Sequence, residues 1–328
     1  MKAAFKYFII WLLLTIAISV FVYIIGSIVL SSTGNPVKDM EVIIDNAWIM
    51  SISLLAADIV LLLVFWKRRY TRFGFNYGYT YGEGFSTKKL FMWCGVGAIG
   101  CLIFNLMAEF YLPIPEDLDI FNSLMQMMTN PIGLISVCLI GPWAEEVLFR
   151  GAIERRLLEK KWNPWFAIVI SALFFAVAHF NYSQGFTAII IGIFMGWIYY
   201  RMRSIWPTVF IHALNNTTAT VVALMSPEAM NAEEYTPPMA IGLPLLVVGI
   251  ILIAVTVIYI DKLTRDRTPI PVPVDEVLPP PLPAEALART ESVVVDAPIP
   301  VDETFLANDS IEQSLPAEEQ DIDLPTEP

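Results

Sequence analysis

Residues 131–151 read PIGLISVCLIGPWAEEVLFRG, and this stretch decides the fold. Its first ten residues suit a membrane span, but Glu145, Glu146 and Arg150 follow within the same apolar block. Each charge opposes insertion at the bilayer centre by about 2.5–3.5 kcal/mol, so three oppose it by roughly 8–10 kcal/mol. The nine strongly apolar residues of the block return only about 3–5 kcal/mol on the same scale. The polar side of this segment is therefore predicted to face the interior of a helical bundle.

The rest of the chain is typical of a polytopic membrane protein. Of its 328 residues, 56% are apolar and 16% are charged, whereas soluble domains have about 45–50% and about 25%. A span needs about 20 apolar residues. We predict an all-α membrane bundle of about eight transmembrane helices, at roughly 5–30, 47–66, 90–112, 132–154, 164–180, 185–200, 205–226 and 240–260.

Basic residues fall between alternate blocks. They precede the first block and follow the second, fourth, sixth and eighth, whereas the other loops hold one basic residue, Lys38. Because cytoplasmic loops carry the excess of Lys and Arg, both termini are expected in the cytoplasm. We expect an integral protein of a bacterial inner membrane.

Four regions follow along the chain. Residues 1–89 hold the first two helices and a basic loop, 90–226 a catalytic core, and 227–262 a loop with the last helix. Residues 263–328 are expected to form a disordered, Pro-rich, acidic cytoplasmic tail. From residue 275 onward the tail has fourteen acidic residues and one basic residue, a net charge of −13. Because the whole chain has a net charge of −12, the residues before 275 have a net charge near +1. No nucleic-acid binding is expected, and the tail is either a solvated segment or a docking site for an unknown cytoplasmic partner.

Helix geometry separates the three charged groups of the fourth block. Glu146 and Arg150 are spaced i, i+4 in the favourable acid-first order and can pair on one face. Glu145 is rotated from Glu146 by about 100° and lacks that partner. A carboxylate without a counter-charge suits a general base. A purely structural ion-pair cluster is the alternative.

The two histidines of the chain, His179 and His212, both lie in apolar blocks. Phe175 precedes His179 by four residues, and Asn216 follows His212 by four, so each pair shares a helix face. A carboxylate with an imidazole can activate water, and an imidazole with an amide can hold an oxyanion.

Three motifs in this order resemble the CPBP intramembrane proteases, the CAAX prenyl endopeptidase and bacteriocin-processing (Abi) family. They are Glu145-Glu146-x3-Arg150, Phe175-x3-His179 and His212-x3-Asn216, and the resemblance covers about residues 90–226. It implies that Glu145 and His179 activate the hydrolytic water and that His212 and Asn216 hold the oxyanion. Glu146 and Arg150 would brace the site, with Phe175 in support.

The same residues bear on a metal. Glu145, His179 and His212 are of types that ligate zinc, but the HExxH spacing is absent. We expect no cofactor, with Zn²⁺ as the alternative.

Three functions compete. The first is an intramembrane endopeptidase acting on a lipidated (CaaX-like) protein or a peptide in the bilayer. Buried ionisable residues also mark proton-coupled transporters, although the two halves show no internal repeat. The third is a non-enzymatic scaffold or immunity protein of the same fold.

Depth along the helices raises a difficulty. At 1.5 Å per residue, Glu145 lies about 15 Å from its basic loop and His179 about 24 Å from the same side. The two can meet only if the fifth helix tilts or starts outside the hydrocarbon. The short link at 181–184 fits a fifth helix that ends below the opposite surface.

Overall fold

The computed structural model describes residues 2–30, 46–67, 79–112, 118–225 and 237–269. These ranges form a helical bundle with one small sheet, which confirms the predicted fold class. The helices are α1 (Lys2–Leu30), α2 (Ala47–Lys67), α3 (Thr87–Tyr111), α4 (Leu118–Met127), α5 (Pro131–Glu159), α6 (Pro164–Val177), α7 (Tyr182–Met202), α8 (Trp206–Met225) and α9 (Met239–Leu263), and the strands are β1 (Tyr79–Tyr81) and β2 (Arg267–Pro269).

Seven of the described helices are long and apolar enough to cross a membrane, one fewer than the sequence predicted. The exception is α6, whose 14 residues reach about 21 Å, whereas the hydrocarbon core is about 30 Å thick. The chain reverses after α6, with Phe180 at φ 50°. Asn181 then caps α7, because its side chain accepts from the Gln184 backbone N–H at 3.0 Å. Helix α6 is thus too short to cross the hydrocarbon core, in agreement with the predicted fifth helix that ends below the opposite surface.

Helix α5 contains two stretches of π-helix, Ser136–Ile140 and Val147–Glu154, on either side of an α-helical turn, Gly141–Glu146. Pro142 opens that turn and has no backbone N–H, and its ring would clash with a carbonyl one turn earlier. The wider π-turn before it relieves this clash, and such π-bulges are frequent at functional sites. The turn between the two π-stretches carries both glutamates.

Helix α7 packs closely against α6 and α5 at two glycines. A methyl group on Gly192 would lie 3.1 Å from the Ala172 Cβ, and one on Gly196 would lie 2.9 Å from the Glu154 Oε2. Small residues at this spacing let helix backbones approach. The close approach brings α6 and α7 against the polar side of α5.

Two of the predicted loop and tail assignments are wrong in part. Residues 118–127, within a predicted loop, form α4, because their mixed polar and apolar residues favour a short helix although they cannot make a span. Residues 263–269 were assigned to the disordered tail, but they end α9 and form β2. Strand β2 pairs antiparallel with β1, with Tyr81 opposite Arg267. The tail prediction for residues 270–328 lies outside the described residues.

The small sheet is anchored to the end of α7. The Tyr81 hydroxyl donates to the Met202 carbonyl at 3.2 Å. Arg267 donates to the Arg201 carbonyl at 2.5 Å, and its guanidinium lies 4.6 Å from the Tyr79 ring centroid. The segment before α3 and the segment after α9 are thereby both held at the C-terminal end of α7.

Candidate active site

One cavity of about 370 Å³ brings the predicted catalytic side chains together. Helix α5 contributes Glu145, the end of α6 and the turn after it contribute Phe175 and His179, and α8 contributes His212 and Asn216. Three segments that are far apart in sequence therefore supply one site. The predicted spatial convergence is observed, and the chemical role of each residue stays a prediction.

Behind the cavity, Glu146 links Arg150 to His212. The Glu146 Oε1 atom lies 2.7 Å from the Arg150 guanidinium and 3.1 Å from the His212 Nδ1. Glu146 and Arg150 are fully buried, and Arg150 also donates to the Gly192 carbonyl at 3.1 Å. The i, i+4 pairing predicted from the sequence is present across the π-helical stretch. An ionised carboxylate only accepts, so the His212 Nδ1 carries a proton and its Nε2 points elsewhere.

The second nitrogen of His212 faces the other glutamate. The His212 Nε2 lies 3.8 Å from the Glu145 Oε2, and the Glu145 side chain is 30% exposed. That Oε2 atom has no hydrogen-bond partner among the described residues. Two adjacent glutamates thus have different surroundings, since Glu146 is locked in an ion pair and Glu145 lines an open cavity with an unused acceptor.

His179 is held by the backbone of α6. Its Nδ1 lies 2.8 Å from the Phe175 carbonyl oxygen, which only accepts, so Nδ1 is the donor. A neutral His179 therefore carries its lone pair on Nε2. This tautomer leaves an acceptor nitrogen on a side chain that lines the cavity.

The ring of Phe175 contacts both imidazoles of the site and the Arg150 guanidinium. It meets the His179 and His212 rings edge-on, with centroids 4.9 and 5.3 Å away. The Arg150 guanidinium lies 4.8 Å from the same ring, a distance at which a cation is attracted to the π-face. Phe175 therefore spaces the two imidazoles and contacts the buried cation.

Asn216 has a defined orientation. Its Nδ2 donates to the Val137 carbonyl at 3.0 Å, which lies in the first π-helical stretch of α5, and its Oδ1 accepts from Asn215 at 3.4 Å. An amide nitrogen has two N–H groups. The second N–H of Asn216 is therefore available to a ligand in the cavity.

Comparison with known proteins agrees with this geometry. The family described as Type II CAAX prenyl endopeptidase Rce1-like matches residues 128–218, which include all three motifs. This match covers 91 of the 328 residues and supports the resemblance of the core to the CPBP family. The protein named "Putative membrane peptidase YdiL" of Bacillus subtilis (strain 168) is 31% identical over 94 residues, 29% of this chain. The chain spans 38% of that relative's length, and no solved structure matches.

Glu145, His179 and His212 are the residues that would hold a Zn²⁺ ion if one is bound. Among the described residues, no three His, Cys, Asp or Glu side chains are grouped so that they could hold an ion. Glu145, His179 and His212 line one cavity, but His212 already uses Nδ1 on Glu146, and its Nε2 lies 3.8 Å from Glu145. Zinc ligation needs ligand distances of about 2.0–2.2 Å from one point. Two atoms 3.8 Å apart can meet that requirement, so the metal-free expectation and the Zn²⁺ alternative both stay predictions.

Two buried carboxylates near the CPBP motifs were missed. Asp58 on α2 is buried, and a methyl group on Gly141 would lie 3.3 Å from its Oδ2. Glu154, one turn after Arg150, is fully buried, and neither of its oxygens has a hydrogen-bond partner among the described residues. The signal was available, because an ionisable residue within an apolar block marks a functional site.

Proposed function

We propose that this protein is an intramembrane endopeptidase that hydrolyses a peptide bond of a membrane-associated substrate with an activated water molecule. The observation that carries the proposal is the shared cavity of Glu145, His179, His212 and Asn216. Hydrolysis by water requires acceptors for the proton of the water molecule and donors for the oxyanion. Glu145 and His179 supply the acceptors, and His212 and Asn216 supply the donors. Lipidated CaaX-like proteins and peptides remain the two substrate classes.

In the first step, Glu145 and His179 activate water. The Glu145 carboxylate has an unused oxygen, and the His179 tautomer leaves Nε2 as an acceptor. A water molecule between them gives one proton to this pair while its oxygen attacks the carbonyl carbon. The proton is retained there for the leaving amine.

In the second step, His212 and Asn216 stabilise the oxyanion. With Nδ1–H bound to Glu146, His212 donates to the oxyanion from Nε2 in its protonated, imidazolium form. The free N–H of Asn216 supplies the second donor. Removal of one such donor costs about 10²–10³ in kcat in a well-studied protease. Collapse of the intermediate breaks the C–N bond, and the stored proton passes to the amine.

Glu146 and Arg150 act as positioning residues in this proposal. The buried ion pair fixes the carboxylate that holds His212, and the Gly192 carbonyl fixes the other end of the guanidinium. No step of the mechanism passes through a metal ion.

We also propose a bacterial inner membrane, with both termini in the cytoplasm. The distribution of basic residues supports this orientation, because they precede the first apolar block and follow the second, fourth, sixth and eighth.

The test compares peptides in membranes of cells that produce the wild type or the Glu145→Gln variant. We expect peptides that the wild type releases to be absent with the variant, at equal protein abundance. Glu83→Gln is the matched control, because Glu83 is exposed in the turn before α3. Identical peptide profiles for wild type and Glu145→Gln would reject the endopeptidase.

A further inference from the structure

The catalytic cavity has a second polar end that the proposed mechanism does not use. Glu109 on α3 and Ser183 at the start of α7 line the same cavity as Glu145, and the Ser183 hydroxyl donates to the Glu109 Oε1. Asn105 lies one turn before Glu109, on the same face of α3. These three side chains, the Glu109 cluster, are contributed by elements outside the three sequence motifs.

Asn105 carries an unsatisfied acceptor in this cluster. Its side chain is 7% exposed and lines the cavity, and its Nδ2 donates to the Thr187 carbonyl at 3.4 Å. Its Oδ1 has no hydrogen-bond partner among the described residues. A buried polar atom without a partner costs roughly 1–3 kcal/mol. The site is therefore short of a hydrogen-bond donor.

Glu109 is a second acceptor in this cluster, and its side chain is a carboxyl group. Its carboxylate accepts from Ser183 through Oε1, and Ser183 lies in the first turn of α7, where the helix dipole favours an anion. The partners of the carboxylate in this contact are thus a hydroxyl and a helix N-terminus rather than a cation. Among the described residues that line the cavity there is no Lys or Arg. The acceptors of the Glu109 cluster therefore face a cavity without a basic side chain of the protein.

We infer that the Glu109 cluster is a substrate subsite that binds a basic side chain, Lys or Arg, at one fixed position relative to the scissile bond. The subsite is made of acceptors, and a cationic N–H group satisfies both the Glu109 carboxylate and the Asn105 amide oxygen. A substrate carboxylate is excluded, because Glu109 already occupies the anion-favouring end of α7. This inference rests on the proposed endopeptidase function.

The first experiment profiles cleavage of a peptide library with acetylated N-termini by the full-length protein in detergent. We expect Lys and Arg to be enriched at one position relative to the cleaved bond. Glu109→Gln keeps the side-chain size and the acceptor for Ser183 but removes the charge, so the ratio of basic to neutral cleavage should fall roughly tenfold to a hundredfold. Glu83→Gln, the same change at an exposed site far from the cavity, should leave the ratio unchanged.

The second experiment measures binding without catalysis, in the Glu145→Gln variant. The probes are one apolar, N-acetylated and C-amidated peptide with a single lysine placed at each position in turn, and the same set with norleucine. One lysine peptide should bind at least about tenfold more tightly than its norleucine partner, and adding Glu109→Gln should abolish the difference.

The two experiments separate the subsite from the proposed function. Wild-type cleavage no greater than that of Glu145→Gln would reject the endopeptidase, and the binding comparison would still decide the subsite. The subsite is overturned if no lysine peptide is preferred, or if the preference survives Glu109→Gln.

Discussion

Glu145 and Glu146 are adjacent and identical in chemistry, yet the same substitution should lower the Tm at only one of them. Glu146→Gln removes the counter-charge of Arg150 and leaves a fully buried guanidinium with the Gly192 carbonyl and the Phe175 ring. Breaking a buried ion pair by removing one partner costs about 3–5 kcal/mol. At about 2 °C per kcal/mol for a chain of this size, the Tm should fall by roughly 6–10 °C.

The assay is thermal unfolding of purified protein in detergent, which needs no substrate. Glu145→Gln is the control, because the Glu145 side chain is 30% exposed and its nearest charged partner, His212, lies 3.8 Å away. Its Tm should stay within about 2 °C of the wild type, since such a surface-like contact is worth about 0–1 kcal/mol. Cleavage should be lost in both variants, for different reasons.

A double variant strengthens the test. Arg150→Met in the Glu146→Gln background removes the stranded charge and should recover part of the lost Tm. An unchanged Tm in Glu146→Gln, or an equal fall in Glu145→Gln, would refute the assignment of one glutamate to the fold and the other to the cavity.

Three further changes have defined outcomes. Burial raises the pKa of Tyr81 to about 12 from 10.0. Between pH 10 and 12 the unfolded state therefore loses this proton while the folded state keeps it, so the stability of the wild type should fall relative to that of Tyr81→Phe. The free energy of unfolding of both proteins is measured at each pH. Gly141→Ala places a methyl 2.8 Å from the Ser136 carbonyl oxygen, so its Tm should fall, whereas Gly185→Ala, 3.5 Å from its nearest neighbour, should not change it. Zinc chelators should leave the cleavage rate unchanged, and loss restored by Zn²⁺ would contradict the metal-free mechanism.

The sequence predicts the bundle and the motif residues well because both depend on local rules. Block length and hydropathy locate the spans, and the spacing of Glu146 and Arg150 predicts their pairing. The two histidines could be placed near the glutamates because apolar helices rarely carry such residues without partners.

What the sequence does not reveal depends on contacts between distant segments. Strand β2 pairs with β1 across nearly 190 residues, and no local periodicity identifies two three-residue strands. The π-helical stretches around Pro142 follow from how α5 fits its neighbours. Asp58, Glu109 and Glu154 can be recognised in the sequence as ionisable residues within apolar blocks. Whether each has a hydrogen-bond partner can be seen only in the structure.

The most direct test of the central claim is a double-mutant cycle on a peptide that the wild type is shown to cleave. Glu145→Gln and His179→Asn are measured singly and together, because residues that act as a unit on one water molecule have non-additive effects. The double variant should be no slower than the slower single variant. Multiplied losses, or a His179→Asn variant with wild-type kcat, would contradict a shared water between these two side chains.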